Sequence, residues 1–205
     1  MDGASRQVKS KLTGRFNVDN LLSIAAMLMV SGYSFEETCN ALEQLRPVPG
    51  RMQDCGTNGP GARVIVDYAH SPDSLEAVLA SLRELKPRRL IVLFGCGGGR
   101  DRSKRPLMGR VAERAADLVI ITSDNPRDED PADIAHEIVA GMDHAPFAVI
   151  EDRRTAIGTA IGLAESGDIV LVAGKGHETY QERRGQRFAF SDQHVIREAL
   201  AGVVR

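Results

Sequence analysis

Cysteine is scarce in this chain, with Cys39, Cys55 and Cys96 the only three among 205 residues. An odd, widely spaced set fits neither a disulfide framework nor the paired ligands of a structural zinc site, and it points to a reducing, cytoplasmic setting. Long apolar runs are missing too: no stretch approaches the roughly 18 residues needed to span a bilayer. The start, where Asp2 and Arg6 precede a polar run, lacks the apolar segment of a signal peptide. Nor does charge of one sign prevail. With 26 basic and 28 acidic side chains the formal net charge is -2, which gives no long-range attraction for a nucleic acid or an acidic membrane. Recognition must therefore be local, and the length allows one full domain plus a smaller unit.

Several catalytic signatures are absent as well. There is no Gly-x-Ser-x-Gly elbow, which removes the usual hydrolase reading of an α/β sheet. The glycine-dense stretch at 95–99 is not closed by Gly-Lys-Ser or Gly-Lys-Thr, and Arg100 stands where a dinucleotide fingerprint needs its last glycine. His177-Glu178 is no metalloprotease signature, because Gln181 occupies the place of the second histidine. No catalytic side chain and no metal-ligand set is assigned.

What is present begins with a polar lead over residues 1–14. From 17 to 29, Leu21, Leu22, Ile24, Ala25, Leu28 and Met29 recur at helical spacing until Gly32 ends the pattern. Ser34 caps a second helix with Glu36 and Glu37 in its first turn and Leu42 and Leu45 on its inner face. The pair reads as a helical hairpin, with Met27 and Met29 in its core. Pro47, Pro49 and Gly50 break the pattern, so a boundary is expected there, between a unit at 1–48 and one at 49–205. Beyond it, apolar runs at 64–68, 90–94, 118–122, 147–150 and 169–173 alternate with amphipathic stretches at 72–85, 104–116, 131–142 and 154–164. Continuous Val, Ile and Leu separated by helices is what a parallel sheet covered on both faces requires. The fold class is α/β, a Rossmann-like open sheet, mostly parallel. A short strand at 188–190 and a final helix capped by Ser191 or Asp192 complete the series.

Ligands of an open parallel sheet bind outside the carboxyl ends of its strands, so the segments that follow the strands are the candidate site. Asp67-Tyr68-Ala69-His70 offers a carboxylate and an imidazole, suited to a ribose or an amine, ahead of Ser71-Pro72 as helix N-cap and first helical residue. Gly95-Cys96-Gly97-Gly98-Gly99 leads into Arg100, Arg102, Lys104 and Arg105, where exposed backbone and a helix N-terminus suit an anion. Arg100, nearest the glycines, is the stronger candidate; Arg102 and Lys104 read as a solvated basic turn. Asp124-Asn125-Pro126-Arg127 sets an ammonium-accepting carboxylate and a carboxylate-binding guanidinium about a rigid proline. That is a clamp for a small zwitterion, or an ordinary strand-to-helix turn. Gly174-Lys175-Gly176-His177-Glu178 follows the last long strand. His136, His144 and His194 fall in helices or at their ends and read as structural or solvated. The inventory favours binding a charged amino acid or a nucleotide over covalent catalysis.

These motifs, with Gly14-Arg15-Phe16-Asn17-Val18-Asp19-Asn20-Leu21-Leu22 and Gly50-Arg51-Met52-Gln53, resemble in order the C-terminal half of the Mur ligase family, above all its diaminopimelate-adding branch. The resemblance implies that 1–48 is the end of the family's central ATP-binding domain and 49–205 its amino-acid-binding domain. It implies an ATP- and Mg2+-dependent amide ligase of peptidoglycan precursor synthesis, in which a peptide carboxylate is phosphorylated and the amine of the incoming amino acid displaces phosphate. The partners would be ATP, meso-diaminopimelate and a UDP-N-acetylmuramoyl dipeptide, bound by a monomer. By the same resemblance Arg100, Asp124, Asn125, Arg127, Gly174 and Glu178 hold diaminopimelate, and Asn17, Asn20, Arg51, Asp67 and His70 face the nucleotide. In one departure, Gly99 precedes Arg100 where relatives often carry an acidic residue, which is expected to loosen that loop. In another, the family's phosphate loop and metal ligands would lie upstream of residue 1, so the chain is expected to fold from about Pro49 onward but not to ligate alone. A relative that adds lysine or lengthens a glutamate chain, and a non-catalytic amino-acid or nucleotide-binding module, are the alternatives. Arg127 speaks against the lysine form, since lysine has no second carboxylate for it.

Overall fold

The computed structural model describes residues 3, 5–12 and 14–202, apart from the side chain of Phe16. Parts of the polar lead and of the motif at 14–22 lie outside those residues. The chain divides into two compact units, Met1–Val48 and Pro49–Arg205.

The first unit holds α1 (Arg15–Val30) and α2 (Phe35–Gln44). Helix α2 starts on a reciprocal cap: the Ser34 side chain accepts from the Glu37 N–H, and the Glu37 carboxylate takes the Ser34 N–H at 2.8 Å. Met27 and Met29, expected in a core, are instead 63 % and 40 % exposed. Burial among the described residues of this unit is limited to Thr38, Cys39 and Leu42 of α2. Two helices alone offer too little surface to cover the apolar positions of α1.

The second unit runs β1 (Gln53–Thr57), β2 (Arg63–Asp67), α3 (Pro72–Arg83), β3 (Leu90–Phe94), α4 (Lys104–Ala115), β4 (Leu118–Ile121), α5 (Pro131–Val139), β5 (Ala148–Val149), α6 (Arg153–Leu163), β6 (Ile169–Ala173), β7 (Tyr180–Arg183), β8 (Gln186–Ala189) and α7 (Asp192–Leu200). The sheet order is β1-β2-β6-β3-β4-β5. Strand β1 pairs antiparallel with β2, and the other pairings are parallel. Alternate residues of each central strand point to opposite faces. Ile65, Val92, Phe94, Ile121 and Leu171 pack with Leu75, Leu79, Met108 and Ile138 of α3, α4 and α5. Val64, Val66, Ile91, Leu93, Ile120 and Val172 pack with Ile157, Ile161, Val195 and Ile196 of α6 and α7. Burial on both faces is why these strands are continuously apolar; truncating one buried Leu to Ala costs about 2–5 kcal/mol.

Caps fix where the helices begin. Ser71 and Ser191 cap α3 and α7, Asp130 and Asp152 cap α5 and α6, and Pro72 and Pro131 occupy first-turn positions where no backbone donor is needed. The strand expected at 188–190 is the second arm of a hairpin, β7–β8, closed by Arg184 and Gly185, both at positive φ. Its first arm, Tyr-Gln-Glu-Arg, and β1, Gln-Asp-Cys-Gly-Thr, were not expected as strands: each is polar and lacks a buried face to imprint an apolar pattern.

Candidate amino-acid-binding site

Four adjacent strands, β2, β6, β3 and β4, end on one edge of the sheet, and the loops that follow them surround a cleft of about 490 Å³. It is lined by Tyr68 and His70 after β2, Gly97, Arg100, Asp101 and Lys104 after β3, Asp124, Asn125 and Arg127 after β4, and Gly174, Glu178 and Tyr180 after β6. The structure thus brings together Arg100, Asp124, Asn125, Arg127, Gly174 and Glu178, with His70 at the same cleft.

The two arginines flank Gly97: a Cβ built there would lie 3.0 Å from Arg127 Nη1 and 3.8 Å from Arg100 Cγ. Arg100 has no hydrogen bond or ion pair with any described residue, so its guanidinium is available to an anion. Arg127 is positioned by backbone. Its φ is 52°, a conformation costly for a residue with a Cβ. The hairpin holds it there: the Arg127 N–H donates to Glu182 O at 3.0 Å and its carbonyl accepts from the Arg184 N–H at 2.7 Å. Nη1 donates to Gly98 O at 2.7 Å, while Nε lies 3.5 Å from Glu182 Oε2.

The same cleft carries acidic groups. Asp124 is 9 % exposed, and its carboxylate accepts no hydrogen bond from the described residues. Burial pushes its pKa up, against the pull of Lys175 and Arg153. Gly174, at φ 110°, lies so close that a Cβ would meet Asp124 Oδ2 at 2.7 Å. Burial also raises the Glu178 carboxyl, but hydrogen bonds from Lys175 and Asn125 more than offset this and hold it below the usual carboxylate range. The Asn125 side chain is held on three sides. Its Nδ2 donates to Glu178 Oε2 at 2.8 Å, and its Oδ1 accepts from Lys175 Nζ and the Glu182 N–H, both at 3.0 Å. Asn125 therefore organises the acidic part of the cleft while its second Nδ2 proton has no partner among the described residues.

The glycine-rich loop spends three of its backbone donors inside the protein: the Gly98 N–H goes to Asn125 O at 2.9 Å, the Gly99 N–H to Glu129 Oε1 at 2.6 Å, and the Ser103 N–H to Asp101 Oδ1 at 2.9 Å. At Gly98 glycine also serves close approach, since a Cβ there would stand 1.9 Å from Pro126 O. At Gly99 the loop is reached by Glu129 from the neighbouring loop. Arg105 secures that carboxylate with bonds of 2.9 and 3.0 Å, and Arg105 first, then the Gly99 N–H, push the Glu129 pKa down to about 2. Lys104 is not merely solvated: it lines the cleft and its Nζ donates to His70 O at 2.7 Å. Arg102 pairs with Glu137. His136, His144 and His194 are exposed.

Of the residues expected to face a nucleotide, Arg51 lies over the Tyr68 ring at 4.9 Å, and His70 lies 4.7 Å from the same ring. Asp67 does not line the cleft; Oδ2 accepts the Met52 N–H at 2.7 Å and Oδ1 the Ala69 N–H at 2.8 Å, fastening the segment that carries Arg51 to the strand tip. Burial raises its pKa, and those two amides oppose the rise. Asn17 and Asn20 belong to the first unit, joined by an Nδ2-to-Oδ1 bond of 3.2 Å. Sequence reasoning missed Tyr68, Tyr180 and Lys175. Among the described residues no group of three His, Cys, Asp or Glu is placed to hold a metal, and no helix is long and apolar enough to cross a membrane.

Residues 50–176 match the family model described as Mur ligase, glutamate ligase domain. The 2,6-diaminopimelate-adding UDP-N-acetylmuramoyl-L-alanyl-D-glutamate ligase of Chromobacterium violaceum is 49 % identical over 198 residues, covering 94 % of this chain and 39 % of the relative. That of Geobacillus kaustophilus is 49 % identical over 198 residues, covering 96 % and 40 %. The chain spans about two fifths of the length of these curated relatives. A solved structure of a ligase of the same name superposes with a TM-score of 0.75 at 41 % identity, over 98 % of this chain and 41 % of that one. Folylpolyglutamate synthase from Thermotoga maritima shares the fold, with a TM-score of 0.63 at 21 % identity. On the match across most of its second unit, the chain belongs to the Mur ligase family.

Proposed function

We propose that this chain supplies the amino-acid-binding side of an ATP-dependent amide ligase that joins meso-diaminopimelate to UDP-N-acetylmuramoyl-L-alanyl-D-glutamate in the cytoplasm. The observation that carries the reading is the charge content of the cleft: Arg100 and Arg127 come within 4 Å of a Cβ on Gly97, and Asp124 and Glu178 line the same cleft. A guanidinium pair matches a carboxylate and an acidic pair matches an ammonium, so the cleft fits the amino-acid end of a longer diamine. Gripping that end leaves the second amino group outside as the nucleophile. In the reaction proposed, a peptide carboxylate oxygen attacks the terminal phosphorus of ATP and ADP leaves. The free amine then attacks the acyl carbonyl, expelling phosphate and losing a proton. The chain's contribution is to orient that amine. Arg51 and His70, gathered about Tyr68, are assigned to the nucleotide, with Asp67 holding the Arg51 segment to the strand tip. No group among the described residues fits Mg2+.

A lysine whose α-amine is the nucleophile presents only its ε-ammonium to the cleft and leaves the guanidinium pair without its partner, a loss of about 1–3 kcal/mol. Calorimetric titration of the chain with meso-diaminopimelate and with lysinamide, which keeps both amines and carries no carboxylate, tests this. Diaminopimelate is expected to bind at least about fivefold more tightly, and equal affinities would overturn the assignment.

A further inference from the structure

We propose that Lys175 is the positioning residue of the ammonium-recognising wall, holding Glu178 in a closed ring of hydrogen bonds and neutralising one of the two carboxylates there. The inference deepens the proposed function and rests on it. Lys175 is 0 % exposed and does not line the cleft, yet both of its hydrogen-bond partners do. Its Nζ lies 2.8 Å from Glu178 Oε2 and 3.0 Å from Asn125 Oδ1, and Asn125 Nδ2 closes the ring onto the same Glu178 oxygen at 2.8 Å. The Tyr180 ring covers the ammonium at 5.7 Å. On either side of Lys175 stand Gly174 and Gly176, both at positive φ.

A long cation taken wholly out of water carries a large desolvation cost, which the ring of acceptors offsets. Its position behind the acidic wall gives that burial a purpose. With Glu178 Oε2 taking both hydrogen bonds, Oε1 is the oxygen left to a ligand. Charge gives the second reason. Asp124 and Glu178 bring two negative charges, whereas the distal end of an amino acid brings one ammonium. Lys175 supplies the other positive charge, so the wall suits one ammonium and does not repel the carboxylate held beside it by Arg100 and Arg127.

The test is calorimetric titration of the 205-residue chain with meso-diaminopimelate, lysine and glutamate, comparing wild type with Lys175→Met, Lys175→Arg, Glu178→Gln and the double variant K175M/E178Q. K175M is expected to weaken the bound amino acid about 10- to 100-fold, the scale of a lost bond to a charged group. K175R, which keeps the charge, should retain more affinity than K175M. Because Lys175 acts through Glu178, adding K175M to E178Q should cost less than about threefold. Wild-type affinity in K175M, or effects of the two substitutions that multiply, would overturn the inference. Should K175M fail to fold, the comparison of E178Q with the double variant decides by the same criterion. If the chain prefers an amino acid other than diaminopimelate, the substrate assignment fails and Lys175 is judged on that amino acid. Binding of none of the three overturns the proposed function and this inference with it.

Discussion

Replacing Gly98 by Ala separates the two jobs of the glycine-rich loop when Gly97→Ala is measured beside it. Neither glycine sits at positive φ, so both substitutions act through space rather than backbone strain. At Gly98 the new Cβ would stand 1.9 Å from Pro126 O and 2.8 Å from Pro126 C. These are backbone atoms, and ordinary contact needs about 3.5 Å, so the two loops must part by more than about 1 Å. That breaks the Gly98 N–H bond to Asn125 O and the Arg127 Nη1 bond to Gly98 O, 2.9 and 2.7 Å long. A neutral bond contributes about 0.5–1.5 kcal/mol and a charged one about 1.5–3, so G98A should destabilise the second unit by about 2–4 kcal/mol. With Arg127 and Asp124 displaced on that scale, amino-acid affinity should fall about 100-fold. At Gly97 the Cβ meets only the side-chain end of Arg127, Nη1 at 3.0 Å, and nothing of the backbone closer than 3.7 Å. G97A should therefore leave stability within about 1 kcal/mol of wild type while weakening binding about tenfold, the value of one guanidinium contact. Urea unfolding and calorimetry on the same preparations give both quantities. A G98A protein as stable as wild type would refute the close-approach argument, and a G97A protein with unaltered affinity would refute the placement of Arg127.

Arg127→Lys keeps the charge but loses the planar fork, so affinity for the diamino diacid should drop about tenfold and its margin over lysinamide should narrow; an unchanged margin in calorimetry would count against a bidentate contact. Glu129 gives an acid-sensitive signal. The unfolded carboxyl takes its proton near its ordinary 4.5 and the folded one near 2. Between those values the unfolded state binds more protons, so Glu129 stabilises above that window and its contribution disappears as pH falls through it. Glu129→Gln should flatten this part of the stability-against-pH curve, and an unaltered slope would show that Arg105 does not hold it. Arg153 and Asp192 form a buried pair, both 0 % exposed, with Nε–Oδ1 and Nη2–Oδ2 each 2.8 Å. Asp192→Ala should lower stability by about 3–5 kcal/mol, while removing both charges in R153M/D192L should recover much of it; thermal melts in which the double variant is no better than the single one would contradict this.

How much of this was legible beforehand depended on what each residue's neighbours demanded. The runs at 90–94 and 169–173 reappear as β3 and β6 without adjustment, because a strand buried on both faces tolerates only apolar residues and so writes its bounds into the chain. Strands β1 and β7 have no such double burial, and their polar sequences read as loop. Met29 fits a helix period, but period reports which residues share a face and not whether anything covers it. The candidate site was found for the same topological reason as the strands: loops at the carboxyl edge of a parallel sheet converge whatever their composition.

What those loops do with their polar atoms was another matter. The glycine-rich loop, Asn125 and Glu178 all looked open to a ligand, yet the Gly98 N–H goes to Asn125 O and the Asn125 oxygen is taken by Lys175 and Glu182. A polar group in a buried loop must find a partner in the protein or in something the protein binds. Accounting for atoms already satisfied thus selects those left for a ligand: the Arg100 guanidinium, Arg127 Nη2, the Asp124 carboxylate and one oxygen of Glu178. Opposite charges left over in one cleft are a stronger pointer to a zwitterionic guest than any motif read in isolation, because satisfied side chains of the same types have been removed from the count.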